Sequence, residues 1–270
     1  MKDYKDKVVV ITGGATGIGF SFAKRFGEEG AKLVIAGRRE DRLRQAKAEL
    51  VAAGAAVEYF VCDVAKDGDM EKLADFAWSA YGKADAIINN AGISLTTMTA
   101  IDTPEEEIRR IFDINFFGVW RGSAVFAKRF IAQGTPAAII NLGSENSLFH
   151  AVPYGAPYVA TKHALLALTE SLREELPAFI HVGLICPGLV KSELNDPNFM
   201  ALGMDTDKFT KIAMAQIKND EFFIVSHGYN MVWIDKRYEA IRAAYTRYAP
   251  REDGDDVFDI RTMMMRLRGG

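Results

Sequence analysis

A tyrosine and a lysine stand four positions apart in the segment YVATK, as Tyr158 and Lys162. In an α-helix, side chains at i and i+4 share one face, so this spacing predicts that the phenol and the ammonium are neighbours. A free tyrosine has a pKa of about 10, and a cation within about 4–6 Å lowers that value. The pair could therefore exchange protons with a substrate near neutral pH, although the same spacing also suits an ordinary surface pair.

A glycine-rich segment, TGGATGIG, spans residues 12–19 between an apolar run and a helical pattern. Gly13, Gly17 and Gly19 would let a pyrophosphate approach backbone N–H groups, and the dipole of the following helix would favour the anion. The spacing G-x-x-x-G-x-G differs from the common G-x-G-x-x-G dinucleotide fingerprint. Its place between a strand and a helix nevertheless favours a dinucleotide site over a ligand-free turn.

The residues after the second apolar run bear on which dinucleotide binds. The segment AGRRED places Arg38 and Arg39 where an acidic residue would favour the ribose 2′-OH of NAD. Two guanidinium groups suit a 2′-phosphate by charge and bidentate geometry, so we expect NADP(H) in preference to NAD(H). The alternative is a solvated pair that begins the next helix. Asp63, after the third run, could bond the adenine amino group or cap a helix.

Apolar runs alternate with helical patterns along the chain. The runs are continuously apolar, which is typical of strands buried on both faces of a parallel sheet. This alternation predicts an α/β fold, a doubly wound (Rossmann) parallel seven-stranded sheet with helices on both faces in a single domain. The runs cover 8–14, 33–39, 57–64, 85–92, 137–144, 181–188 and, more weakly, 221–226; the helical patterns cover 20–29, 40–53, 67–81, about 103–133 and about 158–176.

Further motifs follow in order along the chain: NNAG at 89–92, Asn115 in DINFFG, Ser144 in INLGS and CPGLV at 186–190. Together with TGGATGIG and YVATK, this series resembles the short-chain dehydrogenase/reductase family over residues 7–191. The resemblance implies NAD(P)(H)-dependent hydride transfer between a carbonyl and an alcohol, and an assembly of two or four identical subunits. The cofactor supplies the hydride, and the protein supplies position and electrostatic field.

The resemblance also implies a role for each matching residue. Tyr158 would be the general acid/base, and Ser144 would donate a hydrogen bond to the substrate oxygen, where negative charge develops during reduction. Lys162 would bind the nicotinamide ribose and lower the pKa of Tyr158. Asn115 would hold a water of the proton relay, unless it bonds to the backbone of its own helix. The positions assigned to the cofactor are Gly13, Thr16, Gly17, Ile18, Gly19, Arg38, Arg39, Asp63, Val64, Asn90, Ala91, Gly92, Tyr158, Lys162, Pro187, Gly188 and Val190.

The loop after the fifth run departs from the family pattern. Gly143 replaces the first of a usual serine pair, and the gap between Ser144 and Tyr158 is one residue wider than the common one. Ser147 is therefore a second candidate for the hydroxyl donor. The next residues in this loop could contact substrate or form a solvated turn; they are Glu145 and Asn146.

Residues 192–220 are rich in apolar side chains. They could form a lid over a bulky apolar or aromatic ketone, or a pair of helices that pack on each other. Leu194, Phe199 and Met200 are the predicted substrate contacts, and Leu202, Met204 and Phe209 extend the apolar set. We assign 1–191 to the cofactor-binding and catalytic core, 192–220 to the lid and 221–270 to the last strand, a late helix and a tail, all within one domain 1–270.

The late helix, about 230–248, carries an apolar stripe at near-heptad spacing. The stripe could pack on the chain's own domain or form a subunit contact; its members are Met231, Ile234, Tyr238, Ile241, Tyr245 and Tyr248. The tail DIRTMMMRLRGG could cover a substrate mouth, dock on a neighbour or fray.

Charge and composition narrow the classes of partner. The net charge is −3 and the basic residues are dispersed, so we expect neither nucleic acid nor a membrane as partner. No apolar run reaches the roughly 18 residues that span a bilayer. Cys62 and Cys186 each follow an apolar run, which predicts buried, reduced thiols and a cytoplasmic location. We assign no metal ligand.

These patterns together predict an NADP(H)-dependent oxidoreductase that interconverts a ketone and a secondary alcohol of small-molecule size. Two alternatives stay open: a polyol or sugar dehydrogenase, and a protein that senses NADP without turnover. The second would be expected to lack Tyr158 or Lys162, and both are present.

Overall fold

The computed structural model describes residues 2–94 and 98–267 of the chain. The chain forms two compact units, Met1–Gly228 and Tyr229–Gly270. The described strands all lie in the first unit, which also contains every residue that the sequence assigns to the cofactor or to catalysis.

A single sheet of parallel strands forms the centre of the first unit, in the order β3-β2-β1-β4-β5-β6-β7. The strand order reverses between β1 and β4, and in such sheets ligands bind outside the carboxyl ends of the strands at this point. The predicted seven-stranded, doubly wound sheet is confirmed. The strands are β1 Val8–Thr12, β2 Lys32–Gly37, β3 Ala56–Val61, β4 Ala86–Asn89, β5 Ala137–Leu142, β6 Ile180–Cys186 and β7 Phe223–Val225.

Helices cover both faces of this sheet, and those described in the first unit are α1 Gly17–Glu28, α2 Glu40–Ala52, α3 Asp69–Tyr81, α4 Glu105–Phe112, α5 Gly118–Gln133, α6 Ala156–Glu175, α7 Pro197–Met200 and α8 Thr206–Lys218. The helix predicted over 103–133 is divided. A π-helical segment, Asp113–Phe117, separates α4 from α5. Gly118 begins α5 and packs closely, since a Cβ there would lie 2.8 Å from Cγ2 of Val64.

Alternate residues of β1 enter two separate apolar clusters, one on each face of the sheet. Val9 and Ile11 pack in the cluster that holds Phe22 and Phe26 of α1, whereas Val10 packs in the cluster that holds Phe126 and Phe130 of α5. Burial on both faces explains why the strands read as continuous apolar runs. Cys62 and Cys186 are buried free thiols, as predicted.

The second unit contains helix α9 Asn230–Tyr248, a 3₁₀ turn at Asp255–Phe258 and helix α10 Ile260–Leu267. The last residues of the predicted tail, 268–270, lie outside the described residues. Among the described helices, none combines the length and the apolar character needed to cross a membrane.

Candidate active site

The predicted tyrosine–lysine pair forms at the start of α6, beside the carboxyl end of β5. Pro157 in the first turn suits a helix start because its fixed φ is helical and its missing N–H is not needed there. Nζ of Lys162 lies over the ring of Tyr158, 5.5 Å from the ring centroid. Lys162 is only 5% exposed, and its Nζ donates a hydrogen bond to the carbonyl of Leu142 at the end of β5, 2.9 Å away. The ammonium is therefore held between the phenol and the sheet.

Burial dominates the pKa values of this pair. Desolvation lowers the pKa of Lys162 to about 8 and raises the pKa of Tyr158. A hydrogen bond with the side chain of Ser144 lowers the pKa of Tyr158, and the negative charge of Glu145 raises it. The net shift of the Tyr158 pKa is therefore upward, because desolvation outweighs the hydrogen bond with Ser144. The predicted lowering of this pKa by the Lys162 ammonium, which bonds to the Leu142 carbonyl and lies over the ring face, stays a prediction.

The loop after β5 explains the departure at Gly143. A Cβ at this position would lie 2.7 Å from Oγ of Ser147 and 3.0 Å from the carbonyl oxygen of Ile185, so a serine does not fit. Ser147 is fully buried, and its Oγ accepts a hydrogen bond from the backbone N–H of Ser144 at 3.2 Å. Ser147 is therefore committed to the turn. The hydroxyl that interacts with Tyr158 is that of Ser144.

Asn146 and Glu145, both predicted to contact substrate, are arranged differently. Asn146 is 2% exposed; its Nδ2 donates to Oγ of Ser144 at 3.3 Å and its Oδ1 accepts from the N–H of Ala151 at 2.9 Å. Both ends of the Asn146 amide therefore hold the loop, and its contact with substrate stays a prediction. Glu145 is partly buried, and its N–H donates to the carbonyl of Pro187 at 2.7 Å.

Asn115 lies within the π-helical segment and is fully buried. Its Oδ1 accepts from the N–H of Ile93 at 2.8 Å, and its Nδ2 donates to the carbonyl of Ile93 at 2.9 Å. The side chain therefore bonds to the segment after β4, and not to its own helix. Single-turn π segments are frequent at functional sites, and this one contacts α6. The water-holding role of Asn115 stays a prediction.

The glycine loop fits an anion, for reasons that differ among its glycines. Gly13 and Gly19 pack against the loop and Asn90, since a Cβ on Gly13 would lie 2.8 Å from Nδ2 of Asn90 and one on Gly19 would overlap the carbonyl of Gly13. A Cβ on Gly17 would instead lie 3.3 Å from Cβ of Ser192, and Gly17 has a φ of +56°. Helix α1 begins there, and its N-cap Thr16 makes no side-chain capping bond. The first-turn N–H groups are thus free of a side-chain cap and suit a pyrophosphate.

Thr12, the last residue of β1, has a role that the sequence motifs did not predict. Its Oγ1 accepts from the backbone N–H groups of Asn90 at 3.0 Å and Ala91 at 3.1 Å. In return, Nδ2 of Asn90 donates to the carbonyls of Thr12 at 2.8 Å and Gly13 at 3.2 Å. These bonds join the glycine loop to the end of β4, across the point between β1 and β4 where the strand order reverses. The only sequence signal was a hydroxyl at the end of an apolar strand.

At the ends of β2 and β3, the predicted adenosine contacts are exposed or held in turns. Arg39 pairs with Glu193, Nη2 to Oε2 at 3.0 Å, and both side chains are about half exposed. Arg38 is exposed and has no ion-pair partner within the described residues. Oδ1 of Asp63 accepts from the N–H of Ala65 at 3.0 Å, which closes a turn ahead of α3, whose N-cap is Gly68. The adenine contact of Asp63 stays a prediction. Val64, also assigned to the cofactor, is buried.

A histidine outside the predicted site residues, His227, supports the turn after β6. Nδ1 of His227 accepts a hydrogen bond from the N–H of Gly188 at 3.1 Å. Burial lowers the pKa of His227, which favours the neutral ring that this bond requires. Val190 is 4% exposed within the core, so only its backbone is placed to contact a cofactor.

Some side chains of the predicted lid are exposed and others are buried. Leu194 and Phe199 expose 38% and 49% of their surface, whereas Met200 is buried. The lid prediction is wrong for Phe209, which is wholly buried in α8 with its ring centroid 6.1 Å from that of Phe22. The substrate contacts assigned to the first three residues stay predictions.

Comparison with known proteins gives matches over most of the chain. The family model described as short chain dehydrogenase matches residues 7–202. An uncharacterized oxidoreductase of Bacillus subtilis is 37% identical over 201 residues, which are 73% of this chain and 55% of that protein. This chain therefore spans little more than half the length of that relative. A 1-deoxy-11-beta-hydroxypentalenate dehydrogenase of Streptomyces exfoliatus is 34% identical over 190 residues, 70% of this chain and 69% of that protein.

A reductase and two solved structures extend this comparison. An A-factor type gamma-butyrolactone 1′-reductase (1S-forming) of Streptomyces virginiae is 35% identical over 192 residues, 70% of this chain and 74% of that protein. A Burkholderia phymatum protein solved in complex with NAD has a TM-score of 0.85 at 26% identity, covering 93% of this chain and 100% of that one. An alcohol dehydrogenase of Thermococcus sibiricus complexed with 5-hydroxy-NADP has a TM-score of 0.74 at 26% identity, covering 82% of this chain and 96% of that one.

Proposed function

The chain belongs to the short-chain dehydrogenase/reductase family, and from this premise we propose that it is an NADP(H)-dependent oxidoreductase that interconverts a ketone and a secondary alcohol. The observation that carries the proposal is the cluster of Ser144, Tyr158 and Lys162 at the carboxyl end of β5. Relatives named as a dehydrogenase and as a reductase support carbonyl–alcohol chemistry.

In the reducing direction, Tyr158 gives its phenolic proton to the substrate oxygen. Its raised pKa keeps the phenol protonated at neutral pH, which suits a proton donor. Ser144 donates a hydrogen bond where negative charge develops on the same oxygen. Lys162, with a pKa of about 8, is a cation at neutral pH and stabilises the phenolate left behind. The bound dinucleotide supplies or accepts the hydride.

The residues at the carboxyl ends of the strands, near the point where the strand order reverses, fit a dinucleotide. Gly17 and the start of α1 would hold the pyrophosphate, and Arg38 would reach the 2′-phosphate of the adenosine ribose. One related structure is solved with NAD and another with 5-hydroxy-NADP, so the relatives do not choose between the cofactors. The preference for NADP(H) therefore rests on Arg38 and Arg39.

Replacing Arg38 and Arg39 together by alanine should lower the affinity for NADPH by at least about tenfold and that for NADH by less than about twofold. The reason is that only NADPH carries the 2′-phosphate that the guanidinium groups pair with. Titration of each cofactor against protein fluorescence gives both affinities. Arg42→Ala, which changes an exposed arginine in the first turn of α2, is the matched control and should change neither affinity.

The same titrations measure how much Arg39 contributes to the affinity for NADPH. Glu193→Gln removes the carboxylate paired with Arg39, so NADPH should bind more tightly to this variant while NADH affinity is unchanged. An equal loss of NADPH and NADH affinity in the double arginine variant would show that Arg38 and Arg39 do not bind the 2′-phosphate.

A substrate panel tests the proposed substrate class. The exposed Leu194 and Phe199 offer apolar surface near the turn after β6, and apolar contacts favour ring-bearing substrates. We expect kcat/KM, followed by NADPH absorbance, to be at least about tenfold higher for aromatic ketones than for ketoses of similar size. Turnover confined to sugars or polyols would favour the polyol dehydrogenase. NADPH binding without turnover of any carbonyl would favour the NADP sensor.

A further inference from the structure

Helix α9 carries a continuous apolar seam along one face. Its large apolar residues recur at alternating steps of three and four, which is the spacing of a and d positions in a coiled coil. Ile234 is partly buried, and the other five expose between 42% and 78% of their surface. The seam positions, in order, are Met231, Ile234, Tyr238, Ile241, Tyr245 and Tyr248.

The rest of the α9 surface differs from this seam. Lys236 lies over the ring of Trp233, 5.4 Å from its centroid, and Arg247 lies over the ring of the terminal seam residue Tyr248 at 5.8 Å. The remaining outer positions include the charged Glu239 and Arg247. The seam is thus an apolar stripe on a helix that is otherwise largely polar beyond its first turn, which is the pattern of a helix that pairs along one face.

We propose that α9 pairs with α9 of a second copy of this chain, as an antiparallel two-stranded coiled coil. In this register each a position faces a d position of the partner. Met231 faces the partner's Tyr248, Ile234 faces the partner's Tyr245, and Tyr238 faces the partner's Ile241. The twofold axis passes between Glu239 and Ala240. Every seam residue is then used, and the interface is isologous.

The charges beside the seam select this orientation. Asp235 and Arg242 occupy e positions, which face the e positions of the partner in an antiparallel pair. Asp235 then lies beside the partner's Arg242, and the twofold axis repeats this contact. A parallel pair would instead bring Arg237, at a g position, beside the partner's Arg242, with like charges repelling twice. Within the described residues, neither Asp235 nor Arg242 has an ion-pair partner.

The length of α9 sets the strength expected of this contact. The helix has 19 residues, fewer than the three to four heptads that by themselves indicate a coiled coil. We therefore expect a weak contact that separates on dilution. Asp235 and Arg242 are seven residues apart, roughly 10 Å along the axis, so they do not pair within one helix. Any energetic coupling between them must therefore arise between two copies.

The proposal is tested by exchanging these charges in the full chain. Asp235→Arg and Arg242→Asp each place like charges together across the antiparallel contact. We expect each to raise the dissociation constant of this contact by at least about tenfold, measured by sedimentation velocity over a dilution series. The double exchange restores opposite charges, and its dissociation constant should return to within about threefold of the original. Glu239→Arg makes the same change away from the seam and should leave the constant unchanged.

Each other outcome overturns the proposal. A lowered dissociation constant for Arg242→Asp would indicate a parallel pair, because the new aspartate would then face the partner's Arg237. An unchanged molecular mass in both single variants would show that α9 does not join copies. A lowered unfolding temperature with unchanged mass would show that the seam packs on its own chain. Failure of the double exchange to restore association would show that Asp235 and Arg242 do not meet.

Discussion

The Tyr158→Phe variant should lose about 10²–10⁴-fold in kcat for ketone reduction while it binds NADPH as tightly as the original protein, because positioned proton transfer contributes about this factor. The substitution removes only the phenolic oxygen. The ring that lies 5.5 Å from Nζ of Lys162 is kept, so the ammonium stays in place. Steady-state rates with an active ketone, together with a fluorescence titration of NADPH, give the two quantities.

Tyr154→Phe is the matched control for this experiment. Tyr154 lies four residues earlier, in the loop before α6, and is 63% exposed, so the loss of its hydroxyl should leave kcat unchanged. Full turnover by Tyr158→Phe would exclude Tyr158 as the proton donor. A parallel loss of NADPH affinity would show instead that the substitution disturbs the cofactor site.

The sheet and the motif positions were predictable because both are encoded locally. Each buried strand is an unbroken apolar run, and its carboxyl end carries a motif: the glycine loop after β1, Asn90 after β4 and Ser144 after β5. In a parallel sheet these ends meet at one edge. The local pattern therefore predicted which residues meet at this edge of the sheet, although it gave no information on contacts between distant residues.

The division between α4 and α5 could not be predicted in this way. The π-helical segment Asp113–Phe117 adds one residue to a turn, and the apolar pattern on either side still looks helical. What locates Asn115 is its pair of bonds to the backbone of Ile93, 22 residues away. No local sequence signal reports such a long-range contact.

The glycine at position 143 and the pKa of Tyr158 depend on packing. Gly143 is required because Ser147 and Ile185 approach it, and Ile185 lies in another strand. The pKa of Tyr158 is raised because desolvation outweighs the hydrogen bond with Ser144, and burial of one side chain is a property of the whole fold. The i, i+4 spacing predicted the contact with Lys162 correctly, but it could not predict the depth at which the contact lies.

Replacement of Lys162 by methionine should move the pH dependence of alcohol oxidation towards higher pH by about one unit or more. Oxidation needs the phenolate of Tyr158 as base, and a cation within about 4–6 Å favours phenolate. Without the ammonium, the pKa of Tyr158 rises further, so kcat/KM begins to rise only at a higher pH. At neutral pH the rate should fall by at least about tenfold, which profiles of kcat/KM against pH measure directly.

The same variant should also change how stability depends on pH. The pKa of Lys162 is about 8 in the folded protein, against 10.5 for an unperturbed lysine. Between these values the unfolded chain binds more protons, so the free energy of unfolding of the original protein should rise with pH. Below about pH 8 the cost of burying the ammonium is present in full. Lys162→Met does not titrate, so its unfolding temperature should lack this rise between pH 7 and 9.

This pH window isolates Lys162 from the other buried groups. Burial raises the pKa of Cys62 and of Cys186 from 9.0 to about 12, and these thiols lower stability only as pH rises above about 9. Lys128→Met, an exposed lysine of α5, is the matched control and should keep both the kinetic profile and the rise in stability. If Lys162→Met retained both as well, Lys162 would be neither the cation that stabilises the phenolate nor a buried ammonium, and the proposed proton transfer would lose its electrostatic basis.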